Sequence, residues 1–578
     1  MERHTKLQAL THSPNLDVLI IGAGVNGIGT FRDLALQGVK VLLIDRADFC
    51  AGASAASSHM AHGGIRYLEN GEFRLVREAV QERNRLIQNA PQYVQPLPTV
   101  IPIFKWLSGM FNAPFKFLGL LDKPAERGAA IIKMGLMMYD AYTGAQRTVP
   151  RHEVLGRAAS IKRYPQINPN VVCTAQYYDG LIHAPERLCV EMIADSEAAS
   201  PHARALNYVS VESAAGATVR LRDEQTGETV DVQPRLVVNA AGPWIDFAND
   251  ALGRPSQFIG GTKGSHLVLD HPELRQAIGE HEFFFENADG RIVLICPLLA
   301  RVLVGTSDIR MDDPDQAVCT DDEIDYFLGM VKRVFPNIVV NRTHIVFTFS
   351  GVRPLPSSKA STTGQISRDH SIETLEPDGH LDFPILNLVG GKWTTFRAFS
   401  AQVTDMLLTR LGQARQNDTA SLPIGGGADY PQQQSQRQPW LAQLAQESGL
   451  SADIVVQLFT RYGTRARLIA QFIGDQSAAT NSAQPLQHNP TYVRGEIAFL
   501  AAQEQIVHLD DLVLRRTSLA MLGNLTQPLL AELAEIVGAE LGWSAAERAR
   551  EIRRCAEVLW RKHRVELHET GKPSLVAQ

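Results

Sequence analysis

The run Asp17-Val18-Leu19-Ile20-Ile21 leads straight into Gly22-Ala23-Gly24-Val25-Asn26-Gly27, and this junction constrains the chain more than any other feature. It reads as a buried strand, a glycine-rich turn and a helix through Phe31-Arg32-Asp33-Leu34. A second apolar strand, Val39-Lys40-Val41-Leu42-Leu43-Ile44, follows at once and ends on Asp45. Strand, GxGxxG, helix, strand and terminal acid together make a dinucleotide-binding βαβ unit. Gly22 allows the tight turn, Gly24 lets backbone approach a pyrophosphate, and Gly27 permits close helix–strand packing. The helix N-terminus offers N–H groups to the phosphates, and Asp45 can accept from a ribose hydroxyl.

The next loop, Gly52-Ala53-Ser54-Ala55-Ala56-Ser57-Ser58, is small and rich in hydroxyls. Such a loop suits an extended cofactor whose pyrophosphate and ribityl chain need short donors, so FAD is favoured over NAD. At 578 residues the chain exceeds one ordinary core, and two or three domains are expected. Hydrophobic residues make up 44% and charged residues 20%, a globular balance. The net charge of -6 gives no footprint for nucleic acid. Cysteines 50, 173, 189, 296, 319 and 555 form no CxxC pair or zinc spacing and read as reduced thiols on the cytoplasmic side. The polar stretch from Met1 to Pro14 has no signal-peptide layout, and no long apolar run suits a spanning helix. Any membrane contact is therefore expected to be peripheral. No histidine cluster suggests a metal.

Further along, residues 71–90 have the spacing of a helix, and the prolines of 94–102 predict an extended segment. Leu236-Val237-Val238-Asn239-Ala240-Ala241-Gly242 reads as a strand returning to the nucleotide sheet, with Gly242 close to the cofactor. Runs at 265–269, 291–295 and 302–305 suggest an antiparallel sheet in a substrate-side domain. Ile385 to Val389 with Gly390-Gly391-Lys392-Trp393-Thr394-Thr395 gives one more strand–glycine–helix junction. The expected organisation is a sequence-discontinuous nucleotide-binding core over 1–421, to which segments 70–235 and 250–370 contribute the interleaved substrate domain. A linker over 422–440 follows, then a helical domain over 441–578. Helices are expected at 453–459, 465–473, 494–505, 509–521 and 527–541, and a last one at Ser544 with Glu547 closing a capping box.

The order of motifs resembles the FAD-dependent, respiratory glycerol-3-phosphate dehydrogenase family over nearly the whole chain. The residues carrying this are Gly22 to Gly27, His62-Gly63-Gly64-Ile65-Arg66-Tyr67-Leu68-Glu69, Lys263-Gly264-Ser265-His266 and Gly305-Thr306-Ser307-Asp308. Ser350-Gly351-Val352-Arg353-Pro354-Leu355, Ser367-Arg368-Asp369, Gly390 to Thr395 and Leu514-Arg515-Arg516-Thr517 continue it. The resemblance implies an α/β fold: a Rossmann-like FAD domain of the glutathione-reductase/D-amino-acid-oxidase type, an antiparallel substrate domain and an all-helical cap. It also implies oxidation of sn-glycerol 3-phosphate to dihydroxyacetone phosphate, electrons passing to membrane quinone, and attachment to the inner face of the plasma membrane. A homodimer is left open.

Alcohol oxidation on flavin needs a base for the hydroxyl proton and cationic anchors for the phosphate. Arginine suits the anchor role through its planar fork. Arg66, Arg353 and Arg368 sit in loops beside glycine, proline or aspartate; the resemblance makes Arg353 and Arg368 phosphate ligands, with Arg66 and Tyr67 in the same pocket. A lone strand histidine is ordinarily structural, but the resemblance makes His266 the favoured base. Lys392 is expected near the developing alkoxide or the reduced ring, with Arg353 and His266 as its catalytic partners. Gly22, Gly24, Gly27, Asp45, Ser57, Ser58, His62, Gly63, Gly242, Gly391, Lys392 and Thr394 are expected to bind FAD, held without a covalent bond. Where relatives carry a lysine in the serine-rich loop, this chain has His59-Met60. The aromatic stretch 101–121, with Phe104, Lys105, Trp106, Phe111, Phe115, Lys116 and Phe117, has the makings of a bilayer-interface element, or else of a buried hairpin or dimer contact. Remaining alternatives are an oxidase, a dehydrogenase of another polyol phosphate, and a non-catalytic membrane-docked flavoprotein.

Overall fold

The computed structural model describes residues 3–65, 72–105, 129–143, 148–286, 292–358 and 369–576. Two large sheets organise it. In the first, the strands Asn15–Ile21, Val41–Ile44, Ala203–Leu206, Thr229–Asn239 and Ile385–Val389 run parallel, with Ser371–Leu375 antiparallel at one edge. Val18 pairs with Val41 on one side and Leu236 on the other, and Val237 pairs with Ile385. The central stretches 18–21, 41–44 and 236–238 are apolar throughout because both faces of the sheet are covered. Val25–Leu36, Pro185–Ala199 and Phe396–Leu411 pack on one face in a single apolar cluster. On the other side lies a meander of Val209–Ala215, Thr218–Asp223 and the opening residues 229–232 of the long strand Thr229–Asn239.

Among the described residues the second sheet has ten strands. Ile345–Arg353, Thr262–Leu269, Arg301–Gly305, Ile292–Leu298 and Glu282–Glu286 follow one another antiparallel. Glu282–Glu286 then pairs parallel with Val94–Ile103, so the sheet is mixed and not purely antiparallel as the sequence suggests. The reason is connectivity: Val94–Ile103 enters from the nucleotide half, while the strands after residue 262 form their own antiparallel run. Helix Asp321–Val334 covers one face.

The C-terminal helices cover the other face, and Val268, Leu294, Leu303 and Phe347 of the sheet share one core with Leu458, Ile497, Leu512, Leu533 and Leu559. The helical region is thus part of the sheet's packing. The expected linker also differs. Gly425–Gly427 forms a buried turn whose N–H groups donate to Asp195 (2.7 Å) and Glu191 (3.0 Å), and helix Gln434–Ser448 begins inside the glutamine-rich stretch. Phe104, for which a bilayer contact and a buried hairpin or dimer contact stand as alternatives, packs on the core beneath Arg333, 5.9 Å from the guanidinium carbon to the ring centroid. Trp106, Phe111, Phe115 and Phe117 lie outside the described residues.

Candidate active site

Ligands of open α/β sheets bind beyond the carboxyl ends of the strands. Here those ends are Ile21–Gly22, Ile44–Asp45, Asn239–Gly242 and Val389–Gly391, and residues from each line one cavity of about 1710 Å³. Gly22 has φ +103°, open to glycine and strained for other residues. A Cβ on Gly27 would lie 2.0 Å from the Gly22 carbonyl oxygen, so the helix can approach the strand only without one. The Val25 N–H donates to Ser54 Oγ (2.9 Å), which brings the serine-rich loop to the helix N-terminus. Asp45 accepts from Ala23 N–H (2.7 Å) and Ala47 N–H (2.9 Å). Burial lifts its pKa to about 6, against the pull of those two hydrogen bonds. A carboxylate has about four acceptor positions, so capacity remains for a ribose hydroxyl.

Ser58, His62, Gly242, Gly391, Lys392 and Thr394 line the same cavity. Thr394 Oγ1 donates to the His62 carbonyl (3.0 Å), joining the two ends of the chain's nucleotide half. Lys392 is close enough to Glu78 and His370 for its charge to act on both. Gly63 lies behind the wall, its N–H donating to Asp179 Oδ1 and the Tyr139 hydroxyl, each at 3.0 Å. Ser57 Oγ accepts from the His59 N–H (3.2 Å). His59 is buried on the Ile182 carbonyl (3.1 Å), and burial lowers its pKa to about 4. Arg66, Tyr67 and Arg368 lie outside the described residues.

The second sheet supplies the opposite wall. Cross-strand neighbours Phe349, His266, Gly305, Leu294 and Phe284 form one transverse row, and all but Gly305 line the cavity. His266 is 1% exposed and stacks on Phe349 with centroids 4.8 Å apart. Its Nε2 is 2.8 Å from Ser58 Oγ, and its Nδ1 is buried without a hydrogen-bond partner. Burial first, then the Arg353 and His59 charges, hold its pKa well below the ordinary imidazole value. Two residues back on the strand, Gly264 makes room for Arg353: a Cβ there would sit 2.3 Å from the guanidinium. Arg353 donates to Thr306 Oγ1 (2.9 Å), the Ser307 carbonyl (3.1 Å) and Asp308 (3.3 Å). A buried imidazole and a fixed guanidinium thus share the wall that faces the nucleotide turn.

Sequence reasoning missed Asn26. Its Nδ2 donates to the Gly390 carbonyl (3.2 Å), while its Oδ1 is buried without a partner at the cavity wall. An amide in the first turn of a nucleotide-binding helix was the available signal. Trp393, whose Nε1 donates to the Ser54 carbonyl (2.8 Å), and the cavity-lining Tyr177 and Asp179 gave no signal of their own. The glycine turn, the helix N-terminus, Asp45 and the orphaned Asn26 oxygen fit a dinucleotide cofactor such as FAD.

This fold and this donor set define a flavin-dependent oxidoreductase. Residues 17–377 match the FAD dependent oxidoreductase family (DAO), and 417–548 match the C-terminal domain of alpha-glycerophosphate oxidase. A glycerol-3-phosphate dehydrogenase of Synechocystis sp. is 32% identical over 571 residues, covering 94% of this chain and 96% of that protein. The mitochondrial glycerol-3-phosphate dehydrogenase of Mus musculus is 27% identical over 597 residues, covering 96% of this chain and 75% of its own. The structure of the glycerol-3-phosphate dehydrogenase from Bacillus halodurans complexed with FAD has the same fold. Its TM-score is 0.74 at 20% identity, with coverage of 97% of this chain and 98% of that one. The chain belongs to the FAD-dependent glycerol-3-phosphate dehydrogenase family, and FAD is its cofactor.

Proposed function

We propose that this protein oxidises sn-glycerol 3-phosphate to dihydroxyacetone phosphate and delivers the electrons to a membrane quinone. The observation that carries this reading is the pairing on one wall of a neutral His266, with an orphaned Nδ1, and the anchored Arg353 guanidinium. Bound FAD supplies the hydride acceptor for the carbinol carbon. With Nε2–H donated to Ser58, His266 keeps a lone pair on Nδ1 and takes the hydroxyl proton there. Arg353 holds the phosphate, joined by Arg66, Tyr67 and Arg368, so that remote binding energy positions the carbinol. Lys392 places positive charge beside the developing alkoxide. The apolar row Leu294, Phe284 and Phe349 keeps water from the reacting face. Gly22, Gly24, Gly27, Asp45, Ser57, Ser58, His62, Gly242, Gly391 and Thr394 hold the cofactor without a covalent bond. Gly63 acts one layer behind them.

No helix among the described residues is long and apolar enough to cross a membrane; the attachment we propose is peripheral, at the cytoplasmic face of the plasma membrane. Co-sedimentation with anionic liposomes tests that attachment; protein left in the supernatant overturns it. Arg353→Ala raises KM for glycerol 3-phosphate steeply and also lowers kcat, and unaltered kinetics would remove Arg353 from the site. A second reading, an oxidase, is favoured by the match of residues 417–548 to an oxidase domain. Anaerobically reduced enzyme mixed with a soluble quinone analogue or with oxygen separates the two: faster reoxidation by quinone is expected, and faster reoxidation by oxygen selects the oxidase.

A further inference from the structure

Side chains alternate along a strand. On Thr262–Leu269, Gly264 and His266 line the cavity, while Lys263 and Ser265 reach Glu323 behind the wall. Glu323 opens helix Asp321–Val334, closes a capping box with Thr320 and is 4% exposed. A capping glutamate needs only the N-cap N–H. This one gathers far more. Its Oε2 accepts from Lys263 Nζ (2.8 Å), Thr320 N–H (2.9 Å) and Thr320 Oγ1 (3.1 Å). Its Oε1 accepts from Ser265 Oγ (2.9 Å) and Ser307 Oγ (2.5 Å), and Ser307 Oγ accepts in turn from the Ser265 N–H (3.0 Å). Burial works to raise the pKa of this carboxyl, yet the hydrogen bonds from Lys263, Ser307 and Thr320 hold it below the ordinary value.

Ser307 is the link to the cavity. Its carbonyl and the Thr306 hydroxyl are acceptors for the Arg353 guanidinium. We propose that Glu323 is a positioning residue for the anion-binding end of the site: it locks the 306–308 turn to the strand carrying His266, and so fixes where Arg353 presents its N–H groups. The proposal rests on the reading of Arg353 as the phosphate ligand. A carboxylate serving only the helix cap and the Lys263 ion pair would leave substrate affinity indifferent to the Ser307 hydroxyl.

The test uses FAD-loaded enzyme, with inorganic phosphate as a competitive probe. Ser307→Ala, which removes one hydroxyl, and Glu323→Ala are each expected to raise KM for glycerol 3-phosphate, and Ki for phosphate, by about tenfold. FAD content and the flavin spectrum should stay unchanged, and kcat should fall less than KM rises. The double variant should be no worse than the worse single one, because both act on one turn. Glu323→Gln, which retains an acceptor for the serines, should recover part of the loss. Arg353→Ala is the reference. If it raises KM while Ser307→Ala leaves KM and Ki unmoved, the positioning role falls alone. If Arg353→Ala leaves KM unmoved, both readings fall. Additive losses in the double variant also overturn the link, and if Glu323→Ala does not fold, Ser307→Ala and Glu323→Gln decide.

Discussion

At the scale of single residues, the reacting groups are placed by what is missing beside them. A Cβ on Gly305 would lie 2.2 Å from His266 Cδ2, so Gly305→Ala must push the ring off its stack on Phe349. A displacement near 1 Å costs about 10²-fold in rate. Gly305→Ala should therefore slow flavin reduction by that order in stopped-flow while FAD stays bound; an unchanged rate would show that the ring position does not matter. The pH profile gives a second test. His266 is held below the ordinary imidazole pKa by burial, aided by Arg353 and His59, so its basic form persists into acid. The acid limb of kcat/KM should break below about 6.5, the unperturbed value. A break at or above it would contradict His266 as the base. The residue type and its strand were legible in the sequence. The orphaned Nδ1 and the stacking partner were not, because they depend on which strands pair.

At the scale of elements, the helical region is fastened to the nucleotide half by buried charge. Asp48, three residues after Asp45, accepts from Arg516 (2.7 and 2.9 Å), Arg515 (2.5 Å) and Asn207 (2.9 Å). Burial works to raise its pKa, but the two arginines drive it far down. Asp48→Asn would leave Arg515 with Asp511 (2.6 Å) but Arg516, among the described residues, with only Glu504 at 3.8 Å, and breaking such a buried pair costs about 3–5 kcal/mol. The expected result is a lower Tm and faster loss of FAD on dilution, since the Asp45–Asp48 loop lines the cavity; an unchanged Tm would show that the lock carries no load. The capping box at Ser544 and Glu547 was legible because it is local. The helix expected over 509–521 instead runs Leu509–Asp511 and then one wide π turn, Leu512–Arg516. Both arginines reach Asp48 from that turn, a demand set by a partner more than 450 positions away. The glycine run at 425–427 looked like a linker because composition carries no sign that the Tyr462 carbonyl oxygen lies against it, 1.8 Å from where a Gly426 Cβ would be.

At the scale of the whole molecule, the parallel sheet was legible because strands buried on both faces must be apolar throughout. The core shared by the helical region and the second sheet was not, since periodicity marks a buried face and not its partner. That second sheet also stores a proton. Glu282 lies two positions from Phe284 on the same face, with Thr99 Oγ1 donating to one oxygen (2.9 Å) and the other oxygen unpartnered. Burial, opposed by Thr99 and helped by Asp179, raises its pKa to about 8. A pKa raised on folding gives stability that is full below the unfolded value near 4.5 and is lost as pH rises through the folded one. Glu282 should therefore cost on the order of 5 kcal/mol by alkaline pH. Glu282→Gln should flatten the fall of Tm between pH 5 and about 8.5; identical curves would mean that Glu282 is charged throughout. The account as a whole stands on FAD meeting a phosphorylated alcohol in this cavity. Its most direct test is the absorbance of the purified protein under argon: the flavin band should bleach on adding glycerol 3-phosphate and stay unchanged with glycerol, whereas a band indifferent to glycerol 3-phosphate would contradict the account.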